Sequence, residues 1–308
     1  MAVVWQISAI QFRDKTLING IILKDISWPD HIKTTKLKNI YLVLSSYFRK
    51  RYKNQKIIVS IGEKFIETVT DKYGRFSTIV KQDSIEKIEV LDPKSKKAFE
   101  IIQTYPVFFA DNGNPVAAIS DIDDTVLISN TQRMIKSIAT VLFVTPDKRV
   151  PINHTVNLLN ILHKKGSRIF YVSKSESNLF AMLSHFVTTN GLPVGYLHLT
   201  PYISFHQLFR TKGGKFYKDK AIRFILDNSP GKKYVMFGDD THHDIKIYSI
   251  IASSYPDRII KVYIRKIKRY LTRSQKTYLD NLKKLNIPVV YFSDKDDMSS
   301  EVEFINNL

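Results

Sequence analysis

From residue 116 onward the chain alternates short apolar runs with segments of helical periodicity, and this alternation constrains its fold more than any other feature. The runs VAAIS, RIFYVS, VGYLHL, KYVMFGD, IIKVYI and VVYFS are separated by stretches such as VNLLNILHKK, ESNLFAMLSHFV and KAIRFILDN. Strands joined through helices do not pair as hairpins, so the pattern predicts an α/β fold, a parallel sheet covered by helices. In an open sheet of that kind ligands bind beyond the carboxyl ends of the strands. The residues that follow each run are therefore where chemistry is expected.

The first hundred residues read differently. VVWQISAIQF and GIILKDI are strand-like, and KIIVSIGEKFIETVTDKYGRFSTIV gives three short strands, with Gly62 in one turn and Asp71 to Gly74 in the next. Between them HIKTTKLKNIYLVLSSYFRKRYKN reads as a basic amphipathic helix, with Ile40, Leu44, Tyr47 and Phe48 at helical spacing. A β-sandwich-like N-terminal domain is expected. The polar, proline-containing stretch DPKSKKAFEIIQTYPVFFADNGNPV leads out of it, which puts a boundary near residue 108 and divides the chain into domains over 1–108 and 109–308.

The first strand of the second domain ends in DIDDT, which sets Asp121, Asp123 and Asp124 almost side by side. Such carboxylates repel and lose hydration unless a cation joins them or they stay in water. In isolation DIDDT is also a good acidic turn or helix N-cap. Ser173 follows the second run, a position equally suited to capping a helix and to contacting phosphate. Gly238, Asp239 and Asp240 follow the fourth, with Asp244 five residues beyond Asp239. Carboxylates from two strand ends can converge on one hard cation, and an all-oxygen donor set suits Mg2+. His242 and His243 read as polar loop residues, since no third nitrogen or sulfur ligand is near them in sequence. The chain has no cysteine, so disulfides, thiolate metal sites and a cysteine nucleophile are excluded.

A formal net charge of +18 points to anionic partners such as phospholipid surfaces, nucleic acid or phosphorylated substrates. The segment RKIKRYLTRSQK is expected to set Arg265, Lys266, Lys268 and Arg269 near the carboxyl-end face of the sheet. There is neither a basic leader with an apolar core nor an uninterrupted apolar stretch of membrane-spanning length. A cytoplasmic location is expected, with peripheral membrane contact through the basic patches and no transmembrane segment.

Taken together, these strand-end residues resemble a known family. DIDDT has the D-x-D-x-T form of the haloacid dehalogenase-like phosphatases, and a strand-end Ser, a Lys and an acidic G-D-x-x-x-x-D segment follow in that superfamily's order. More narrowly, SDIDDTV, FYVSKSESNLF, GLPVGYLHL, GDDTHHDIKIY and RIIKVYIR resemble the catalytic domain of the actin-patch-protein type of phosphatidate phosphatase and its bacterial relatives. The resemblance covers roughly residues 116 to 293, and TDKYGRFS looks more loosely like the family's N-terminal β-domain.

It implies a Rossmann-like domain in which Asp121 is the nucleophile and Asp123 the general acid and then base. Ser173 and Lys218 would contact the phosphoryl group, with Lys220 as the nearby alternative lysine. Asp121, Asp239, Asp244 and the carbonyl of Asp123 would hold Mg2+, and Thr125 would lock the acidic turn. The implied reaction is hydrolysis of a lipid phosphate, phosphatidate to diacylglycerol and phosphate, at a membrane surface.

Phosphatases of nucleic-acid ends or of phosphoproteins are the enzymatic alternatives, because the positive charge would serve them equally. A scaffold that binds a phosphate ligand without catalysis is the alternative of another class. Asp240 and Lys174 depart from the family's usual residues, which bears on metal affinity and phosphate contact. The spans from Ser129 to Arg168 and from Leu199 to Lys218 are too short for a cap domain, so an open pocket is expected.

Overall fold

The computed structural model describes residues 2–24, 47–81, 87–127, 151–201, 217–241 and 243–308. Most of the expected basic helix, the segment TQRMIKSIATVLF, most of PYISFHQLFRTKGGKFY and His242 lie outside the described residues. Two compact units emerge. One is drawn mainly from residues up to Asp111 and includes Glu176–Ala181, and the other mainly from residues from Asn112 onward.

The first unit has two sheets. Strands β1 (Ala2–Phe12), β2 (Lys15–Lys24), β3 (Lys56–Ile61), β4 (Lys64–Val69), β5 (Arg75–Lys81) and β6 (Ile88–Leu91) are followed by the two-residue strands β7 (Glu100–Ile101) and β8 (Phe108–Phe109). One sheet runs β5-β2-β1-β7 with β8 also on β1, and the other β4-β3-β6. The pairs β1–β2, β2–β5, β3–β4 and β3–β6 are antiparallel, whereas β7 and β8 join β1 in parallel. Val4, Ile7, Ala9, Ile18 and Ile22 of one sheet share an apolar cluster with Ile57, Val59, Ile61 and Val90 of the other. The expected sandwich is thus met in part, by largely antiparallel sheets around one core. A bulge between Val4 and Gln6 resets the pleat, which is why Val4 and Ile7, three residues apart, turn to the same cluster.

One expectation is corrected here. The helix read as continuing to Asn54 has given way by Arg51, where the chain pairs antiparallel with Leu23. Lys24 N–H donates to Lys50 O and Tyr52 N–H to Ile22 O. Hydrogen-bonding groups at the end of β2 outweigh local helical periodicity.

The second unit, which takes all but Glu176 of β10 and α2 from Met182 on, begins with β9 (Val116–Ser120), then α1 (Asn153–Lys164), β10 (Arg168–Glu176), α2 (Phe180–Thr189), β11 (Tyr196–Thr200), α3 (Tyr217–Asn228) and β12 (Lys233–Asp239). It continues through α4 (Asp244–Ser254), β13 (Ile259–Arg265), α5 (Arg273–Lys284), β14 (Val289–Phe292) and α6 (Ser299–Asn306). Six strands form one sheet in the order β11-β10-β9-β12-β13-β14, and the pairs β10–β9, β9–β12, β12–β13 and β13–β14 are parallel. Ala117, Ala118, Ile119, Phe170, Val235, Met236 and Val262 are all buried, the mark of strands covered on both faces. Strand β10 runs on to Glu176 before a single 3-10 turn, so the helix expected from Glu176 begins at Phe180. From β9 the chain builds outward through β10 to β11, then crosses back to β12 on the other side of β9 and continues to β14, so the strand order reverses at β9, the kind of switch point beyond whose strand carboxyl ends ligands bind. Among the described residues no helix is long and apolar enough to cross a membrane.

Candidate active site

The acidic turn grows directly out of β9. Asp121 N–H still reaches Phe237 O of β12 at 2.9 Å, and Tyr248 Oη of α4 donates to that same carbonyl at 2.6 Å. The chain then folds back on itself: Ile122 O accepts the N–H groups of Thr125, Val126 and Leu127 at 3.3, 3.0 and 3.1 Å. Asp124 turns the corner with φ +59°, a left-handed conformation that aspartate tolerates better than most residues. Its N–H donates to Leu127 O at 2.7 Å. Among the described residues the buried Thr125 hydroxyl has no hydrogen-bond partner, and the bonds seen closing the turn are backbone ones.

Around this turn the fold gathers charges from three elements. Asp121, Asp239 and Asp244 are buried, and one carboxylate oxygen from each lies within 4.8 Å of the others. Gly238 allows the close approach, because a Cβ there would come within 2.8 Å of both Asp244 Cβ and the Tyr248 ring. Lys218, in the first turn of α3, puts its Nζ 2.9 Å from Asp121 Oδ2 and 2.5 Å from Asp244 Oδ1. Lys220 is exposed, so the lysine in this cluster is Lys218. Asp239 Oδ1 accepts Thr241 N–H at 2.5 Å and also the Thr241 hydroxyl, and Asp239 N–H reaches Asp244 Oδ2 at 3.3 Å.

Burial pushes the Asp121 carboxyl well above the ordinary aspartate value; Lys218 opposes this, while Asp244, Asp239 and Asp123 add to it. Burial alone would push Lys218 down, but Asp121, Asp244 and Asp239 together hold its ammonium above the usual lysine value. Lys218 is therefore charged. Three carboxylates against one ammonium leave a deficit of positive charge in a buried, all-oxygen donor set. Asp121, Asp239 and Asp244 can hold a metal ion, and their chemistry fits a hard divalent cation.

Asp123 stands apart from that cluster. Its Oδ2 accepts the hydroxyls of Ser173 at 3.1 Å and Ser175 at 2.8 Å, and Ser175 N–H donates to Ser173 Oγ at 2.9 Å. Sequence alone does not single out Ser175, although residues i and i+2 at a strand end share a face and the S-x-S spacing is a signal for it. Of the residues expected around a metal, Asp121, Asp239 and Asp244 group their carboxylates, while Asp123, expected there through its carbonyl, has its side chain bound to serines. Lys174, between those serines, is half-buried. Its carbonyl accepts the Thr200 hydroxyl at 3.1 Å. Its ammonium is pushed down by burial and by Lys218, against the pull of Asp244, Asp121 and Asp239.

Asp240 faces the loop after β13. Its carboxylate accepts the N–H groups of Ile267 and Lys268 at 3.1 Å and the Tyr291 hydroxyl at 2.5 Å, and its carbonyl accepts Gln275 Nε2 at 2.7 Å. Gln275 also closes the capping box that starts α5, accepting Thr272 N–H at 3.0 Å. Asp240 is therefore a fastening for this loop. Asp240→Asn, which sets an amide donor against N–H donors, is expected to lower stability by about 1–3 kcal/mol. Chemical denaturation reads the loss, and a change below about 0.5 kcal/mol, the range of ordinary surface substitutions, would place the fastening elsewhere.

Arg265 is a second correction. It was expected among exposed basic residues, yet it is 8% exposed and paired with Asp294, with Nη2 2.7 Å from Oδ2. Lys266 and Arg269 are exposed and Lys268 is half-buried.

Residues 116–266 match the family model described as phosphatidate phosphatase APP1, catalytic domain. The Saccharomyces cerevisiae protein named phosphatidate phosphatase APP1 is 29% identical over 201 residues, 64% of this chain and 34% of the relative. An uncharacterized protein of Schizosaccharomyces pombe is 21% identical over 248 residues, 75% of this chain and 38% of the relative. The chain spans little more than a third of the length of these curated relatives. Among solved structures, a class C acid phosphatase from Bacillus anthracis aligns with a TM-score of 0.35 and 16% identity over 62% of this chain and 78% of that one, too distant to bear on function.

Proposed function

We propose, from the match of residues 116–266 to that catalytic-domain family and from the geometry around Asp121, that this chain is a haloacid dehalogenase-like phosphatase. It hydrolyses a phosphomonoester with Mg2+ through an aspartyl-phosphate. Asp121 attacks phosphorus, the bond to the ester oxygen breaks, and Asp123 gives that oxygen its proton as it leaves. Asp123 then takes a proton from water, which attacks the aspartyl-phosphate and releases inorganic phosphate with Asp121 restored. Mg2+ held by Asp121, Asp239 and Asp244 with the Asp123 carbonyl would offset the repulsion between an anionic nucleophile and an anionic phosphate. Lys218, kept charged by its carboxylate neighbours, steadies Asp121 and receives a phosphoryl oxygen. Ser173 turns to the phosphoryl group when substrate is present, leaving Ser175 to orient Asp123.

The observation that carries this reading is the different surroundings of two aspartates two residues apart. One lies in a buried cluster with Lys218, the other on two serine hydroxyls. Environments that differ so much allow one carboxylate to act as nucleophile and the other to exchange a proton. A phosphate-release screen over lipid, nucleotide, sugar and peptide phosphates tests it, together with beryllium fluoride and Mg2+ as a probe for an adduct on Asp121. Absence of that adduct from an active enzyme would sink the covalent scheme.

The substrate class supported by the family match is lipid phosphate, with phosphatidate giving diacylglycerol and phosphate. The basic loop after β13 favours contact with an anionic membrane, since Lys266, Lys268 and Arg269 follow directly on the ladder partner of Asp239. Replacing these three by glutamine is expected to weaken binding to anionic vesicles by about 1 kcal/mol per exposed charge. Hydrolysis of vesicle-borne phosphatidate should slow, while a small soluble phosphomonoester is turned over as before. Equal loss on both substrates would tie the loop to catalysis, and loss of oligonucleotide binding alone would favour a nucleic-acid substrate.

A further inference from the structure

The residue removed from the basic surface has a use closer to the chemistry. Arg265 ends β13 opposite Asp239 in the parallel ladder, and its carbonyl accepts Asp240 N–H at 3.2 Å. Its guanidinium is held by two bonds to Asp294, Nε to Oδ1 at 3.0 Å and Nη2 to Oδ2 at 2.7 Å. That fork leaves Nη1 to donate to the carbonyl of Asp124 at 3.1 Å. Asp124 is the left-handed corner of the acidic turn, so its N–H is tied to Leu127 and its C=O to Arg265. A corner residue in a sparsely populated conformation persists where its surroundings over-determine it, and here both of its backbone polar groups are tied.

We infer that Arg265 is a positioning residue: fastened by Asp294, it grips the acidic turn at the Asp124 carbonyl and thereby sets where Asp123 stands for proton transfer. The inference rests on the phosphatase reading of Asp121 and Asp123. Arginine is needed because a planar fork can hold a carboxylate with one edge and a carbonyl with its remaining donor, whereas a lysine ammonium has no such fixed geometry.

A purely structural role would also make Arg265 sensitive to substitution, so the test needs a control on the same strand. Lys261, also on β13, pairs with Glu301 at 2.5 Å. Glu301→Gln removes a partly buried charge from that pair without touching the acidic turn. Arg265→Lys, Asp294→Asn and Glu301→Gln are to be compared in the full chain with saturating Mg2+. The readout is kcat/KM on an alkyl phosphate and on p-nitrophenyl phosphate, with amide exchange at Asp124 as the second measurement.

A misplaced general acid hurts a poor leaving group most. Arg265→Lys is expected to lower kcat/KM about a hundredfold for the alkyl ester and about tenfold or less for the nitrophenyl ester. Asp294→Asn should shift both in the same direction by less. Asp124 exchange should quicken in both variants and not in Glu301→Gln. Equal losses on the two esters, or losses that track destabilisation in all three variants with Asp124 exchange unchanged, would overturn the inference. Should the wild type turn over no phosphomonoester, the phosphatase reading itself fails, and unchanged Asp124 exchange in Arg265→Lys would overturn the grip on the turn separately.

Discussion

Asp121→Asn is expected to abolish phosphate release, by at least about three orders of magnitude, while the fold survives. The amide matches the carboxylate in shape but cannot attack phosphorus and brings no negative charge to a cation. The fold should tolerate it for an electrostatic reason. Burial and three neighbouring carboxylates already disfavour the charged form of Asp121, so a neutral group there relieves repulsion. Lys218 keeps its 2.5 Å contact with Asp244. Without metal the variant should therefore melt at or above the wild-type temperature, and Mg2+ should raise its melting temperature less than it raises that of the wild type. Phosphate release above about one per cent of wild type would remove Asp121 from the nucleophile's role.

Lys218→Met is expected to inactivate as well, but through the opposite effect on stability. Its ammonium is the cation that touches both Asp121 and Asp244, and its side chain is 2% exposed. Removing one member of a buried ion pair leaves the other uncompensated, which costs about 3–5 kcal/mol. Two observations would identify the cause. Mg2+ should restore more stability to this variant than to the wild type. In the absence of metal, its stability should rise as the pH is lowered. The Asp121 carboxyl already stands above its unfolded value of 3.8, so the native state binds a proton that the unfolded chain has released. Stability then falls as pH rises through that window. Loss of the lysine should widen it. A variant of unchanged stability, insensitive to Mg2+ and pH, would show that the cluster is not held together by this charge.

Much of the second unit was legible because parallel strands buried on both faces announce themselves as apolar runs, and because a switch point puts chemistry directly after such runs. Asp121, Asp123, Ser173 and Asp239 could be singled out on that ground. What could not be read depends on partners remote in the chain. Arg265 looks like one more surface cation until Asp294, 29 residues on, folds against it. Asp240 reads as an added charge beside Asp239 that bears on metal affinity, yet its oxygens are taken by Ile267, Lys268 and Tyr291, up to 51 residues away. Ser175 is hidden for a different reason, since nothing local announces that Asp123 would turn to β10. In the first unit the two-residue strands β7 and β8 are too short to show any period. The expected helix beyond Phe48 yields to backbone pairing with β2, a tertiary effect that periodicity does not register.

The strand order also dictates a timetable for the growing chain. Of the six-stranded sheet, β9, β10 and β11 leave the ribosome first, but the other edge of β9 waits for β12, whose Lys233 must find Val116. Until then a nascent chain carries an open edge lined by Ala117, Ala118 and Ile119, the kind of template on which other chains can pair. Asp121 stands at the end of that edge, a charged group beside an otherwise apolar strand. A charge in that position is of the kind that discourages pairing with other chains.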